Sequence, residues 1–112
     1  MKSIYLDHSA TTPVDKRVAD VVRDCMLDNF GNPSSIHSFG REARDVKENA
    51  RKIIADMINS SPEEIYFTSG GTEADNLALL GYVRKYDDRG KHIIVSSIEH
   101  PAVLRTAMEL DE

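Results

Sequence analysis

The run Thr68-Ser69-Gly70-Gly71-Thr72-Glu73-Ala74-Asp75-Asn76 places two adjacent glycines and then a hydroxyl where a helix is expected to begin. Glycines let the backbone approach a ligand closely. The first N–H groups of a helix have no intrahelical acceptor, and the helix dipole favours an anion in front of them. With the Thr72 hydroxyl as a further donor, this arrangement suits a phosphate monoester. The Gly-Lys-Ser/Thr ending of a P-loop is absent, and so is the three-glycine dinucleotide pattern. Glu73 is at odds with an anion site, so its carboxylate is expected to turn away from the ligand or pair with a base. The same residues also fit a plain tight turn with Thr72 as helix cap, and the local pattern leaves both readings open.

Glu99-His100-Pro101 is the second place where chemistry can sit. His100 can stack on a planar ring or exchange protons near neutral pH. It can equally be a histidine that only hydrogen-bonds at a helix start. His8 and His37 are weaker candidates, and neither stands at metal-ligand spacing from a second histidine or cysteine, so no metal site is expected. The single cysteine, Cys25, falls on the apolar face of a predicted helix and reads as a buried structural thiol, not a nucleophile.

The elements that must position these residues follow from spacing. A helix is expected from Thr12, with Thr12 as cap, Pro13 in the first position and Asp15 at the positive end of the dipole. Val14, Val18, Val21, Val22 and Cys25 form its apolar stripe. Asn32 to Gly40 reads as an ordered loop. A second helix follows, with Ala43, Val46, Ala50, Ile53, Ile54 and Met57 on one face and Arg44, Lys47, Glu48, Arg51 and Lys52 on the other. It should end at Asn59-Ser60-Ser61-Pro62.

Ile65-Tyr66-Phe67-Thr68 and His92-Ile93-Ile94-Val95-Ser96 read as strands. Between them a third helix has Ala74, Leu77, Ala78, Leu80, Gly81 and Val83 available for burial, and Pro101 opens a fourth. This alternation predicts an α/β fold with a parallel sheet. Ligands in such folds collect at the carboxyl ends of the strands, which brings the Gly-Gly-Thr turn and His100 to one edge. Two parallel strands make no stable sheet by themselves. Leu110-Asp111-Glu112 carries no stop signal, so the chain is expected to be a piece of a larger protein.

The chain has 112 residues, enough for one small domain. Its net charge of −5 and lack of a basic run argue against a nucleic-acid partner. The start turns polar at once, with no signal-peptide core, and no apolar stretch approaches the ~20 residues that span a bilayer. A cytoplasmic chain without a membrane partner is expected.

Four motifs, in order, resemble the NifS/IscS group of cysteine desulfurases within the class V aminotransferase fold. They are Tyr5-Leu6-Asp7-His8-Ser9-Ala10-Thr11-Thr12-Pro13, Phe30-Gly31-Asn32-Pro33-Ser34-Ser35-Ile36-His37, Phe67 to Asn76, and Glu99-His100-Pro101-Ala102-Val103. The resemblance implies the N-terminal part of a pyridoxal-phosphate-dependent transferase fold, aspartate aminotransferase-like, with its sheet incomplete here. Residues 1–14 would belong to the small domain or the active-site entrance, and residues 15–112 would begin the large cofactor-binding domain. It implies that Gly71, Thr72, Asn76 and His100 bind pyridoxal 5'-phosphate and that His100 is catalytic. Ala10, Thr11, Asn32 and His37 would border the substrate entrance.

The implied reaction converts L-cysteine to L-alanine and leaves the sulfur as an enzyme persulfide, for iron–sulfur cluster or thiocofactor assembly. A homodimer and a sulfur-acceptor or scaffold protein are the implied partners. The family's Schiff-base lysine, its persulfide cysteine, the aspartate on the pyridine nitrogen and the arginine for the substrate carboxylate are expected further along the protein. None of Lys2, Lys16, Lys47, Lys52, Lys85 or Lys91 stands in the lysine's motif. The chain alone is therefore expected to be inactive. A selenocysteine lyase or another class V enzyme is the alternative within the fold, and a non-catalytic phosphate-binding or interaction module the alternative outside it.

Overall fold

The computed structural model describes residues 3–111; Met1, Lys2 and Glu112, including the reading of Lys2 and the ends of the chain, lie outside the described residues. Four α-helices follow in order: α1 (Lys16–Asp28), α2 (Ser38–Ile58), α3 (Gly71–Lys85) and α4 (Pro101–Glu109), with a 3-10 turn at Pro62–Glu64. The chain forms two compact units, one ending at Ile65 and one beginning at Tyr66.

In the first unit, Asp15 and not Thr12 caps α1. Its Oδ1 accepts the Arg17 N–H at 2.8 Å, and both carboxylate oxygens take the Arg17 guanidinium. The first-turn arginine decides between two capping residues three positions apart, because it adds a charge-assisted fork to the cap. That guanidinium, and then the backbone N–H, holds the Asp15 carboxyl below its usual range. Among the described residues α1 packs on no other helix. Val18, Val21, Val22 and Leu27 therefore stay exposed and Cys25 is only half-buried, contrary to the expected buried thiol.

α2 begins at Ser38 and so takes the last three residues of the expected loop, because His37 supplies the cap: its Nδ1 accepts the Gly40 N–H. Asn59 ends the helix in the left-handed region at φ 55° and sends its N–H back to the last turn, a role asparagine fills with less strain than most residues. Ser61 and Glu64 then form a reciprocal capping box around the 3-10 turn, which packs on α2. Arg51 of α2 donates to the Ile65 carbonyl and pairs with Glu48 at 2.9 Å.

The second unit is α3 and α4 packed together. The expected strands are absent: residues 65–68 and 92–96 are unladdered, and the described residues contain no strand. A strand is completed by its neighbour's N–H and C=O groups, and these two short segments do not pair with each other. The burial expected along α3 is also missing, since α4 covers only one stripe of it and α3 has no buried residue. The buried positions among the described residues are few and, Ile65 apart, small: Gly40, Ala43, Ala55 and Ile65 in the first unit, Ala102 and Thr106 in the second.

Candidate functional site at the α3 and α4 N-termini

Gly70 precedes α3 in extended backbone, at φ 169°, and offers no side-chain cap. The Gly71, Thr72 and Glu73 N–H groups have no acceptor among the described residues, as first-turn donors lack one within the helix. A Cβ built on Gly70 or Gly71 would meet nothing within 4 Å, so the space in front of these donors is open. Thr72 lies inside the first turn and is not the cap, which removes the plainer of the two readings of its hydroxyl. Glu73 turns back to Ser69, whose N–H and hydroxyl both donate to its Oε2 at 2.6 Å. The hydroxyl first, and then the N–H, holds the Glu73 carboxyl below its usual range. The expectation that this carboxylate is tied up holds, with a serine in place of a base.

His100 caps α4. Its Nδ1 accepts the Ala102 N–H at 3.2 Å, so the neutral ring carries its proton on Nε2. The helix-start role and a role toward a ligand are thus compatible, because they use opposite nitrogens. A groove of about 350 Å³ runs between the helices and is lined by Thr72, Asn76, His100, Arg105, Thr106 and Glu109, among others. Three of the four residues expected at the cofactor line it. The Asn76 amide is engaged at both ends: Nδ2 donates to the Thr72 carbonyl at 2.7 Å, and Oδ1 accepts the Thr106 hydroxyl at 2.8 Å.

The residues expected at the substrate entrance lie in the first unit. Ala10 and Thr11 donate their N–H groups to the Asp7 carbonyl, and the Thr11 hydroxyl meets the Tyr5 hydroxyl at 2.7 Å. Asn32 Oδ1 accepts the Ser34 N–H, its carbonyl accepts that of Ser35, and His37 ends this loop as the cap of α2. Two arginines hold this loop, a part the sequence did not assign to them. Arg44 donates to the Pro33 and Ser35 carbonyls, and Arg41 to that of Ile36. Both were hidden by a helical period that assigns arginine to solvent.

The sequence pattern of the aminotransferase class-V family matches residues 4–112. The chain belongs to that family. It is 57% identical over 111 residues to cysteine desulfurase IscS of Pseudomonas putida and 54% identical to that of Pseudomonas aeruginosa. Each match covers 96% of this chain and 28% of the relative, so the chain spans little more than a quarter of these proteins' length. Among solved structures it is similar to a NifS-like protein, with TM-score 0.89, 40% identity, and 96% of this chain against 30% of that one covered. It is also similar to SspA in complex with cysteine (TM-score 0.86, 40% identity, 97% and 31%) and to DndA from Streptomyces lividans (TM-score 0.77, 46%, 96% and 30%). The fold is thus the corresponding part of a cysteine-desulfurase-like fold, with no strand among the described residues.

The family works generally with pyridoxal phosphate, and the donor set fits that group's phosphate. Free first-turn N–H groups, an exposed hydroxyl, open space above two glycines and a carboxylate drawn aside form an anion cradle. No helix among the described residues is long and apolar enough to cross a membrane.

Proposed function

We propose that this chain is the phosphate-holding part of a cysteine desulfurase that converts L-cysteine to L-alanine and passes the sulfur to a cysteine as a persulfide. The observation that carries the reading is the groove where Thr72, Asn76 and His100 come together in front of two helix N-termini. Gly71 and Thr72 bind the phosphate of pyridoxal 5'-phosphate through their N–H groups and the Thr72 hydroxyl. Asn76 steadies that turn. When bound, the cofactor supplies an electron sink for the substrate's carbon–sulfur chemistry. His100, fixed at Nδ1 by the Ala102 N–H, presents Nε2 to hold or move a proton beside the ring.

L-cysteine as substrate is supported by the neighbour solved in complex with cysteine and by the name of the 57% identical relative. Ala10, Thr11, Asn32 and His37 border the substrate's approach in this reading. Residues 1–14 belong with the small domain or entrance, and residues 15–112 begin the large domain. The whole protein is a cytoplasmic homodimer that hands sulfur to an acceptor or scaffold protein for iron–sulfur cluster or thiocofactor assembly. The lysine that holds the cofactor covalently is none of the six in this chain.

The test is borohydride reduction of the purified chain with pyridoxal phosphate, followed by mass spectrometry and an assay for alanine from cysteine. No single-site lysine adduct and no turnover are expected. A stoichiometric adduct on one lysine, or alanine formed by the chain, would overturn the division of labour proposed here.

A further inference from the structure

Thr106 is the one polar residue buried as a whole among the described residues, 4% exposed in the middle of α4. A threonine inside a helix ordinarily satisfies its hydroxyl on the carbonyl four residues back. Thr106 does this, with Oγ1 2.7 Å from the Ala102 carbonyl. That bond alone would make it a satisfied helix residue of no further consequence. The same hydroxyl, however, lies 2.8 Å from Asn76 Oδ1, on another helix and 30 positions away in sequence. It has one proton, shared between the two acceptors.

The Asn76 amide has a planar, fixed geometry. Once Thr106 takes Oδ1, the Nδ2 end is aimed, and it donates to the Thr72 carbonyl at 2.7 Å. Thr72 lies in the first turn of α3, directly after two glycines above which the space is open, and lines the groove between the helices. A relay of two hydrogen bonds therefore runs from the buried face of α4 to the Thr72–Glu73 peptide, which directly follows the Gly71 and Thr72 N–H groups in the first turn of α3. The isolated first turn of a helix frays easily, because its donors are unpaired and it has few packing contacts. Here α3 buries no residue of its own, and the two hydrogen bonds link its first turn to α4.

We infer that Thr106 is a positioning residue for the phosphate cradle, acting through Asn76 on the Thr72 carbonyl and so on the first turn that carries the donors. This rests on the reading of the α3 N-terminus as a phosphate site. The relay touches no cofactor atom; it sets the orientation of the groups that do.

The experiment uses the 112-residue chain, isotopically labelled, with inorganic phosphate as the probe and resonance shifts as the readout. In the wild type, the Gly71 and Thr72 amides shift on titration. Thr106→Val keeps shape but has no donor: the Asn76 side-chain amide resonances should move, and phosphate should bind about tenfold more weakly, the size expected for one lost hydrogen bond. Thr106→Ser restores the donor and should keep both the Asn76 resonances and wild-type affinity. A purely structural threonine would show neither the Asn76 response nor the rescue.

A wild type that responds to phosphate while Thr106→Val binds as tightly overturns this inference alone, as does a Thr106→Ser chain that loses affinity. A wild type whose Gly71 and Thr72 amides ignore phosphate overturns the phosphate site and this inference with it. Should Thr106→Val lose helix content, Asn76→Leu replaces it. That variant breaks the relay from the other helix, and undiminished phosphate affinity in it overturns the inference.

Discussion

Glu73 accepts two hydrogen bonds from one residue, Ser69, whose backbone N–H and hydroxyl both lie 2.6 Å from its Oε2. The carboxylate thus closes the turn from the outside while the first-turn donors of α3 stay open on the other side. An acidic residue can therefore sit beside open first-turn donors, because its carboxylate is engaged by the preceding loop.

The pairing sets a pH dependence at the start of α3. Hydrogen bonds from the Ser69 hydroxyl and N–H favour the charged form and hold the Glu73 carboxyl below its ordinary value of 4.5. A depressed folded-state value means the bonds contribute fully above the unfolded glutamate's range. Their contribution is lost as pH falls through the folded-state value, in the acid region below 4.5. Following the Glu73 side-chain carbon and the Ser69 amide by NMR should give one shared midpoint below 4.5. Glu73→Gln should abolish the Ser69 titration. A midpoint at the ordinary glutamate value would show that the pairing does not form.

Gly40 should not tolerate a methyl group, even though it lies in a helix. Replacing glycine by alanine within a helix ordinarily stabilises by about 1 kcal/mol. A Cβ at Gly40, however, would collide with the Ser35 carbonyl oxygen and approach Ser35 Cβ at 2.7 Å and the Asn32 carbonyl oxygen at 2.8 Å. These atoms belong to the Asn32–His37 loop, which is folded back on α2. Overpacking of that kind costs roughly 1–3 kcal/mol and outweighs the helix gain. Gly40→Ala should shift the Asn32 and Ser35 resonances and speed proteolysis of the loop. An unchanged loop in a more stable chain would refute the contact.

Such contacts mark where the sequence stops being readable. The period of α2 and its stop at Asn59 were legible because both depend on residues a few positions away. His37 was read as an entrance residue; its capping role was missed because histidine is an uncommon cap. The strands at 65–68 and 92–96 were mistaken for the same reason in reverse: their composition is local, but a ladder needs a neighbour. Thr72 and His100 were singled out by local pattern and Asn76 by family motif, and the three line one groove, whereas Thr106 is outside every motif. A threonine at the spacing of Ala102 on the last helix was the signal available, and only the packing of α4 on α3 gives it meaning.

Asn59 should be replaceable by glycine and not by alanine. At φ 55° a Cβ crowds the following carbonyl, at a cost of about 1–2 kcal/mol for ordinary residues, and asparagine partly escapes it. The Ser60 N–H reaches the Ala55 carbonyl at 2.9 Å only while this bend is kept. Thermal unfolding of the first unit should show Asn59→Ala destabilised by about 1 kcal/mol and Asn59→Gly equal to or slightly above the wild type. Equal stabilities for alanine and glycine would mean that the helix ends without the left-handed residue.

Arg44 and Lys are not interchangeable at the same loop. The Arg44 guanidinium donates from Nε to the Pro33 carbonyl at 2.8 Å and from a terminal nitrogen to the Ser35 carbonyl at 3.1 Å. Only a rigid fork spans two acceptors in this way; an ammonium is a single point of donation. Gly40 lets the loop approach α2, and Arg44 then satisfies the carbonyls that the approach leaves facing the helix. Arg44→Lys and Arg44→Ala should both loosen the loop, by about 1 kcal/mol for each lost bond, while leaving α2 helical. Amide exchange at Ser34 and Ser35, whose N–H groups depend on Asn32 staying in place, should quicken in both variants. If lysine protects these amides as well as arginine does, charge alone holds the loop and the fork is incidental.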